Sequence, residues 1–306
     1  MTELELIARF VRHFERGTPE MLLGPGDDAA LLRINPGLAL VATTDAVIEG
    51  VHFGPGFSFE DIGHKALAVN LSDLAAMGAQ PRWLLVALEL PARTSSTLVD
   101  GIARGMAALA RRHGCGLAGG NVVRSTHLAL TLTVLGEVPP TLALRRDRLA
   151  PGDVLAVTGT LGGAALGLKH LRRGSRKATT AQRRPNPRIQ AGLAARGLAH
   201  AAIDVSDGLA RDLCTMADAS RVRVDLSSAA LPVARGATPA MALSGGEDYE
   251  LVFGLPARQV SVLRRRLAKL GVPLCVIGSV REGRGLFLDQ RRIAARGFDH
   301  FEQHSD

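Results

Sequence analysis

The stretch KALAVNLSDLAAMGAQPRWLLVALEL (65–90) decides the fold. Apolar residues dominate up to Gly78 and Pro81, which are typical helix stops, and a run of aliphatic residues follows them. The pattern predicts a helix over 60–77 and a buried strand over 83–90. A helix joined this closely to a buried strand is typical of α/β proteins.

The sequence on both sides continues this mixture of helices and strands. Apolar spacing predicts a helix over 3–15, and a strand over 38–45 ends in the polar cluster TTD. After residue 90 the pattern predicts a helix over 94–113, strands over 127–138 and 154–159, a helix from about Ala164, helices over 188–197 and 207–219, a strand over 249–254, a helix over 256–270 and a strand over 274–280.

The segment TLALRRDRLAPGD (141–153) is basic and rich in turn-forming residues, which marks a domain boundary. A chain of 306 residues suits two domains. We therefore predict an N-terminal domain over 1–140 and a C-terminal α/β domain over 141–306. The stretch RRGSRKATTAQRRPNPR (172–188) lacks apolar periodicity, and we expect an exposed, mobile loop there.

Composition excludes several classes of protein. The 46% hydrophobic and 22% charged content fits a globular chain, and no apolar run approaches the roughly 18 residues that a membrane span needs. The N-terminus lacks the pattern of an export signal. Cys115, Cys214 and Cys275 lie far apart, which excludes a disulfide scaffold and a CxxC metal site and predicts a cytoplasmic protein.

The net charge of +8 does not indicate nucleic-acid binding. Only four of the 37 basic residues are lysines, the arginines are spread along the chain, and aromatic residues make up only 4%. GCGLAG (114–119) matches a dinucleotide fingerprint, but a predicted helix precedes it and a strand follows, which is the reverse of the required order. The phosphate loop, the nucleophile elbow and the HExxH motif are absent from the sequence.

Acidic residues concentrate in segments rich in small residues. A cluster of carboxylates is tolerated where divalent cations neutralise it, and oxygen ligands suit Mg²⁺, which commonly bridges carboxylates to substrate phosphates. For a single cluster the alternative is a helix cap: Ser206 or Asp207 would cap the helix over 207–219. The clusters are GPGDDAALL (24–32), TTDAVIEGVHF (43–53), NLSDLAAMGA (70–79), IDVSDGL (203–209) and SGGEDYELVF (244–253).

These motifs resemble the thiamine-monophosphate kinase family. The resemblance runs in order along almost the whole chain and also includes GGN (119–121), VTGTLG (157–162) and the terminal GFDHF (297–301). It implies the two-domain, aminoimidazole ribonucleotide synthetase-like fold. It also implies a homodimer, in which the N-terminal sheets of two subunits form a shared barrel with the active sites near the interface.

The resemblance also implies an activity and its site residues. The activity is ATP-dependent phosphorylation of thiamine monophosphate to thiamine diphosphate with several Mg²⁺ ions, by direct in-line transfer and without a nucleophile or base from the protein. Arg145 is as good a candidate for an ATP contact as its neighbour Arg146. The implied Mg²⁺ ligands are Asp28, Thr43, Thr44, Asp45, Asp73, Asn121, Asp204 and Asp207. The implied ATP contacts are the Gly120–Asn121 turn, Arg146 and Ser206, and the implied thiamine monophosphate contacts are His52, Glu247 and Phe298. Asn70 is placed one helical turn before Asp73, where it would support that ligand.

Two positions depart from the family pattern. Asn121 stands where the family usually has aspartate, and Gly163 stands where it commonly has a polar or acidic residue. An amide oxygen coordinates without a negative charge, so we expect weaker binding of one Mg²⁺. These departures favour one alternative, a non-catalytic protein that binds thiamine phosphates or nucleotide. The other is a different ATP-using enzyme of the superfamily, of which selenophosphate synthetase is disfavoured because the first cysteine is Cys115.

Overall fold

The computed structural model describes residues 1–15, 17–172, 180–295 and 297–298. The chain forms two compact units. Unit 1 comprises Met1–Leu74, Ala79–Ala143 and Arg183–Ile189, and unit 2 comprises Ala75–Gly78, Leu144–Gln182 and Gln190–Asp306. The division into domains 1–140 and 141–306 stays a prediction.

Unit 1 contains a four-stranded sheet with the strand order β3-β6-β4-β5. Its strands pair antiparallel, except that β5 runs parallel to β4 because the helix α3 carries the chain back between them. The elements are α1 (Glu3–Val11), the hairpin β1 (Met21–Leu23) and β2 (Leu31–Leu32), β3 (Ala39–Ile48), α2 (Phe59–Ala76), β4 (Gln80–Pro91), α3 (Ser96–His113), β5 (Gly116–Ser125) and β6 (Ala129–Val138).

Glycines let α2 and α3 pack backbone against backbone. A Cβ on Gly63 would lie 2.0 Å from the carbonyl oxygen of Ile102, and a Cβ on Gly105 would lie 2.0 Å from that of Glu60. Real Cβ atoms do not approach an oxygen so closely. The two helices therefore form a tight layer, and α2 is held against the sheet where Leu74 lies beside Gly136 of β6.

The opposite face of the unit 1 sheet is open. Strand residues alternate between the two faces, so the side chains on this face recur at every second position. Leu40 and Ile48 of β3 and Val123 of β5 are exposed there, and Leu85 and Thr133 are half-buried neighbours in register. Unit 1 thus carries an exposed, largely uncharged sheet face.

The segment 183–189 joins unit 1 through α2. The Arg184 Nε donates to Asp61, the Arg183 guanidinium lies 3.6 Å from the same carboxylate, and the His64 Nε2 lies 2.9 Å from the carbonyl oxygen of Pro185. Hydrogen bonds from Arg184 and Ser58 keep the pKa of Asp61 below its usual range, although burial opposes them. A segment that composition alone assigns to an exposed loop is therefore anchored by ion pairs.

Unit 2 contains a sheet of seven described strands in the order β13-β12-β9-β11-β7-β10-β8. The pairing is antiparallel except between β12 and β9, and α7 packs its apolar side into the core beneath the sheet. The elements are β7 (Asp153–Thr158), α4 (Gly163–Arg172), α5 (Thr180–Arg183), α6 (Ile189–Ala195), β8 (Ala201–Asp204), α7 (Leu209–Ser220), β9 (Arg223–Leu226), α8 (Pro239–Ser244), β10 (Leu251–Pro256), α9 (Ala257–Ala268), β11 (Leu274–Arg281), β12 (Gly285–Leu288) and β13 (Arg291–Ile293).

Most of the predicted elements are confirmed, and three predictions need correction. The helix predicted over 3–15 ends at Val11. The prediction of a turn at Gly120–Asn121 is wrong, because both residues lie inside β5, a strand that the sequence analysis did not predict. The exposed loop over 172–188 is wrong for residues 180–188, which include α5 and a buried Gln182, while residues 173–179 lie outside the described residues.

We expect Gly105→Ala to lower the free energy of unfolding by about 1–3 kcal/mol, because the added methyl group forces α2 and α3 apart. The intrinsic preference of a helix for alanine, about 1 kcal/mol, opposes this loss. Equilibrium unfolding in urea measures the difference. Gly54→Ala is the matched control, since its Cβ meets nothing within 4 Å. A Gly105→Ala protein as stable as the parent would contradict the tight helix layer.

Candidate functional sites in the two units

In unit 1, strand β3 and helix α2 bring two of the predicted ligands together. The Thr43 hydroxyl donates to Asp73 Oδ2 at 2.5 Å. Asp45 lies two residues after Thr43 on the same strand and therefore points to the same face, where it is exposed. The oxygen atoms of a strand and a buried helix thus converge on one side of the sheet.

Thr44 faces the other way. Its hydroxyl donates to the Leu132 carbonyl oxygen at 3.0 Å and accepts from Thr133 at 3.3 Å, both on the neighbouring strand β6. The predicted run Thr43-Thr44-Asp45 is therefore divided between the two faces of the sheet. The structure joins the side chain of Thr43, and not that of Thr44, to Asp73.

Asn70 supports the same part of α2. Its side chain is fully buried, and its Nδ2 donates to the Ala66 carbonyl oxygen at 3.0 Å. Its Oδ1 is also buried and has no donor among the described residues. A buried acceptor without a partner costs free energy, so a cation or donor beside it would be stabilised.

A buried lysine holds the turn that carries His52. The side chain of Lys65 is 0% exposed, its Nζ donates to the His52 carbonyl oxygen at 2.8 Å, and it lies 5.5 Å from the Phe57 ring centroid. The Ile48 N–H donates to His52 Nδ1 at 3.1 Å. Because Nδ1 accepts, a neutral His52 carries its proton on Nε2.

The remaining predicted residues of unit 1 lie elsewhere. Asp28 is in an exposed loop between β1 and β2, where its N–H donates to Asp27 Oδ1 at 2.8 Å. Asn121 is exposed on β5, the edge strand opposite β3, and it pairs in register with Ala87 on the open face. Three strand spacings separate β5 from β3, about 14 Å. Within unit 1, Asn121 and Asp45 therefore do not meet.

In unit 2, the turn after β8 carries the next group of predicted ligands, and Asp212 organises it. Asp212 Oδ2 accepts from the backbone N–H groups of Ser206, Asp207 and Gly208 at 3.1, 3.2 and 3.1 Å. Gly208 has φ +121°, a conformation that favours glycine. Gly208 also stands at the start of α7 without a side-chain cap, so the interpretation of Ser206 or Asp207 as a helix cap is wrong.

Negative charge accumulates at this turn. Burial of Asp212 and the nearby charges of Asp204 and Asp207 raise the pKa of Asp212 to about 8, although its bonds with backbone N–H groups favour the charged form. Asp204 is itself buried at the end of β8. Three carboxylates so close together repel one another, and a bound cation would relieve that repulsion.

Two predicted substrate residues meet the same turn. The Glu247 N–H donates to the Ser206 carbonyl oxygen at 2.7 Å, and the Phe298 N–H donates to the Asp207 carbonyl oxygen at 2.9 Å. The Phe298 side chain is 40% exposed, and its carbonyl oxygen accepts from Arg211. The structure therefore brings together Ser206, Asp207, Glu247 and Phe298. Residues 299–301 of the terminal motif lie outside the described residues.

The other acids of SGGEDYEL (244–251) hold the turn in place. Asp248 accepts from the N–H groups of Gly162 at 2.5 Å and Ala164 at 3.0 Å at the start of α4, and burial raises its pKa to about 6. The Thr158 hydroxyl donates to the buried Glu250 at 2.6 Å. Both acids thus fix this turn to neighbouring elements of unit 2.

The two arginine candidates differ in their contacts. The Arg145 guanidinium donates to both oxygens of Asp147, at 2.9 and 2.5 Å. Arg146 is exposed, and its carbonyl oxygen accepts from the Ser220 hydroxyl at 2.9 Å. Arg145 is therefore engaged in an ion pair, which favours Arg146 as the side chain that meets a phosphate.

The donor chemistry of the clusters fits Mg²⁺. Carboxylate, hydroxyl and amide oxygens supply the donors, and the buried Oδ1 of Asn70 has no donor among the described residues. Among the described residues, no group of three or more His, Cys, Asp and Glu side chains is arranged to hold a metal alone. An ion here therefore needs ligands beyond the side chains of a single cluster, as Mg²⁺ does when it binds phosphates and water.

The sequence matches known families over most of its length. Residues 26–138 match the family model of the AIR synthase related protein, N-terminal domain, and residues 150–290 match that of the C-terminal domain. The thiamine-monophosphate kinase of Escherichia coli K12 is 39% identical over 98% of this chain and 98% of its own. The chain belongs to the thiamine-monophosphate kinase family. The Haemophilus influenzae thiamine-monophosphate kinase is 36% identical over 99% of both chains.

Solved structures of the thiamine-monophosphate kinase family share the fold. The Stenotrophomonas maltophilia K279a enzyme has a TM-score of 0.85 at 40% identity and covers 94% of this chain and 96% of its own. A structure described as AaThiL complexed with AMPPCP and TMP has a TM-score of 0.80 at 30% identity and covers 88% and 89%. The predicted two-domain α/β fold is confirmed. No helix within the described ranges is long and apolar enough to cross a membrane.

Sequence reasoning missed the residues that support the predicted site. Lys65, Asp212 and Gln182 are buried polar side chains whose partners lie elsewhere in the chain. Of these three, only the role of Asp212 could have been predicted from local sequence, because an acid in the first turn of a helix stabilises the free N–H groups there. The partners of Lys65 and Gln182 become visible only in three dimensions.

We expect Asp212→Ala to lower the free energy of unfolding by about 1–3 kcal/mol, because the buried N–H of Gly208 and the half-buried N–H groups of Ser206 and Asp207 lose their acceptor. Asp212→Asn retains an acceptor oxygen and should lose less. Urea unfolding in magnesium-free buffer measures both. Asp218→Ala, an exposed acid on the same helix, is the control. Equal stability of Asp212→Ala and the parent would show that the turn does not depend on this carboxylate.

Proposed function

We propose that this protein catalyses transfer of the γ-phosphoryl group of ATP to thiamine monophosphate, giving ADP and thiamine diphosphate, in the cytoplasm. The observation that carries the proposal is the convergence of Ser206, Asp207, Glu247 and Phe298 on one turn of unit 2. A partly exposed aromatic ring, a carboxylate and an acidic turn together suit a flat, cationic ring joined to a phosphate. Family membership at 36–39% identity over nearly the whole chain supports the same reaction.

The acceptor determines what the protein must do. A phosphate oxygen is already ionised at neutral pH, so the reaction needs no general base. Two polyanions must instead be brought together with the attacking oxygen in line with the γ-phosphorus. We infer direct transfer without a phosphorylated enzyme, and trapping of a phosphorylated side chain during turnover would contradict it.

The residues of each unit would take separate roles. Asp73, Asp45 and Thr43 in unit 1, and Asp204 and Asp207 in unit 2, would hold Mg²⁺ ions. Bound Mg²⁺ neutralises the charge of the phosphates and lowers the barrier to their approach. Asn70, which is buried one helical turn before Asp73, would support that ligand.

Other side chains would bind the two substrates, the phosphoryl donor ATP and the acceptor thiamine monophosphate. Arg146 and Ser206 would contact ATP. The His52 ring would contact the acceptor, and the Phe298 ring would stack on its heterocycle. Glu247 would face the positive charge of the acceptor.

The first test is an ADP-release assay with Mg-ATP and thiamine monophosphate, thiamine or buffer. We expect ADP release only with the monophosphate, because thiamine lacks the ionised acceptor oxygen. Asp73→Asn keeps the volume and an acceptor for Thr43 but removes the charge, and kcat should fall about 100-fold. Release that is independent of the acceptor, or unaffected by Asp73→Asn, would refute the proposal. A folded protein that binds Mg-ATP without turnover would support the non-catalytic alternative.

Asn121→Asp tests the departure from the family pattern in the same assay. An added carboxylate strengthens Mg²⁺ binding, so the concentration of Mg²⁺ at half-maximal rate should fall several-fold. Asn121 is exposed, so the substitution should leave stability unchanged. Gly163→Ser is the companion variant, because a Cβ there meets Ala181 at 3.4 Å, which is ordinary contact.

We further propose that the protein is a homodimer formed through the open face of the unit 1 sheet. Leu40, Ile48 and Val123 expose apolar surface on this face, which a second copy would bury. Asn121 lies on the same face but on the edge strand remote from β3. Across a twofold axis, the Asn121 of the partner subunit would lie over this face of β3, beside Thr44 of the strand that also carries Asp45, which it does not reach within its own unit.

Mixing two inactive variants tests this arrangement. Asp73→Asn and Asn121→Lys, each nearly inactive alone, should regain up to about a quarter of the parent activity after exchange of subunits, because half of the dimers are hybrid and carry one intact site. Sedimentation at equilibrium establishes the dimer independently. A monomer, or a mixture without recovery, would contradict the shared site.

A further inference from the structure

Gln182 is a buried amide in a segment whose composition predicts exposure. It lies in α5, its side chain is 2% exposed, and its Nε2 donates to Glu247 Oε2 at 2.6 Å. A carboxylate oxygen only accepts, so the amide must present its nitrogen to Glu247. Its own Oε1 is buried and has no donor among the described residues.

The backbone of Glu247 is fixed by contacts with the turn that carries Ser206. Glu247 has φ +65°, an uncommon conformation for a residue with a side chain, and its N–H donates to the Ser206 carbonyl oxygen at 2.7 Å. A Cβ on Gly246 would lie 2.6 Å from the same oxygen, so the two turns are in close contact. The backbone of Glu247 is thus set, and the bond to Gln182 sets the end of its side chain.

The acids of this motif differ in the partners that hold them. Asp248 accepts from backbone N–H groups of α4, and Glu250 accepts from the hydroxyl of a buried strand residue. Both are engaged in fixing the fold. Glu247 is half-buried, and its Oε2 accepts from a side chain of the four-residue helix α5. This bond joins two side chains, whereas Asp248 accepts from backbone groups.

We propose that Gln182 is a positioning residue for the acceptor substrate, which holds the Glu247 carboxylate ready for a cationic, amine-bearing ring system. The proposal rests on the proposed function. A free glutamate side chain loses rotamer entropy when it is fixed. When Gln182 fixes it before binding, the substrate does not bear that cost, and affinity for the acceptor rises. ATP does not require the carboxylate, so its affinity should not change.

The test compares Gln182→Met with the parent. Methionine keeps the length and burial but removes the donor, so KM for thiamine monophosphate should rise about 10-fold or more while KM for ATP stays within about twofold. Gln190→Met, an exposed glutamine in α6, should alter neither constant. Circular dichroism and thermal unfolding establish that each variant is folded.

Gln182→Glu separates positioning from packing. Two adjacent carboxylates repel each other when both are charged and form a hydrogen bond when they share a proton. KM for thiamine monophosphate in this variant should therefore fall as the pH is lowered from 8 to 6, relative to the parent. If Gln182 only filled space, KM for thiamine monophosphate would depend on pH in the same way in the Gln182→Met and Gln182→Glu variants.

Failure of the role proposed for Gln182 can be distinguished from failure of the proposed kinase function. Calorimetric binding of thiamine monophosphate to the parent protein, measured without turnover, comes first. A parent that neither binds nor phosphorylates it refutes both proposals. A parent that binds it, with unchanged KM and Kd in folded Gln182→Met and no pH effect in Gln182→Glu, refutes the role of Gln182 alone. If Gln182→Met does not fold, the pH profile of Gln182→Glu decides.

Discussion

Three consecutive backbone N–H groups converge on one oxygen of Asp212, and the acidic turn of unit 2 depends on that interaction. The start of a helix usually offers its free N–H groups to an anion. Here they point inward, so the turn presents its carbonyl oxygens and carboxylates outward. Those carbonyl oxygens hold Glu247 and Phe298. The same interaction therefore fixes the turn to which Glu247 and Phe298 are held.

Elements rich in apolar residues were predictable, and a strand rich in glycine was not. Apolar residues predominate in the helix α2 and the strand β4, which few alternative structures accommodate. Strand β5 contains a pair of glycines, and local rules assign such a pair to a turn. The structure shows another reason for Gly120: a Cβ there would lie 2.1 Å from the Val86 carbonyl oxygen, so glycine lets β5 approach β4. Such an approach depends on tertiary structure and leaves no local signal.

The candidate site was predictable in its residue types but not in its arrangement. Resemblance supplied Thr43, Thr44 and Asp73, yet only the structure shows that adjacent threonines serve opposite faces of a sheet. The partners of Lys65 and Gln182 were likewise visible only in the structure, although burial requires such polar groups to have partners.

The basic surface and the acidic turns also act at different ranges. A net charge of +8 attracts polyanions from a distance, whereas the local carboxylates attract the cations that accompany them.

The ion pairs between Asp61 and the segment 183–189 have a consequence for biosynthesis. Unit 1 draws its last piece from residues that lie 40 positions beyond Ala143, the end of its main part. Until the ribosome has passed residue 189, the nascent unit lacks the guanidinium groups that neutralise a largely buried carboxylate. Unit 1 therefore reaches its complete form late in translation, after β7 and α4 of unit 2 have already been made. Completion of unit 1 therefore overlaps the synthesis of unit 2.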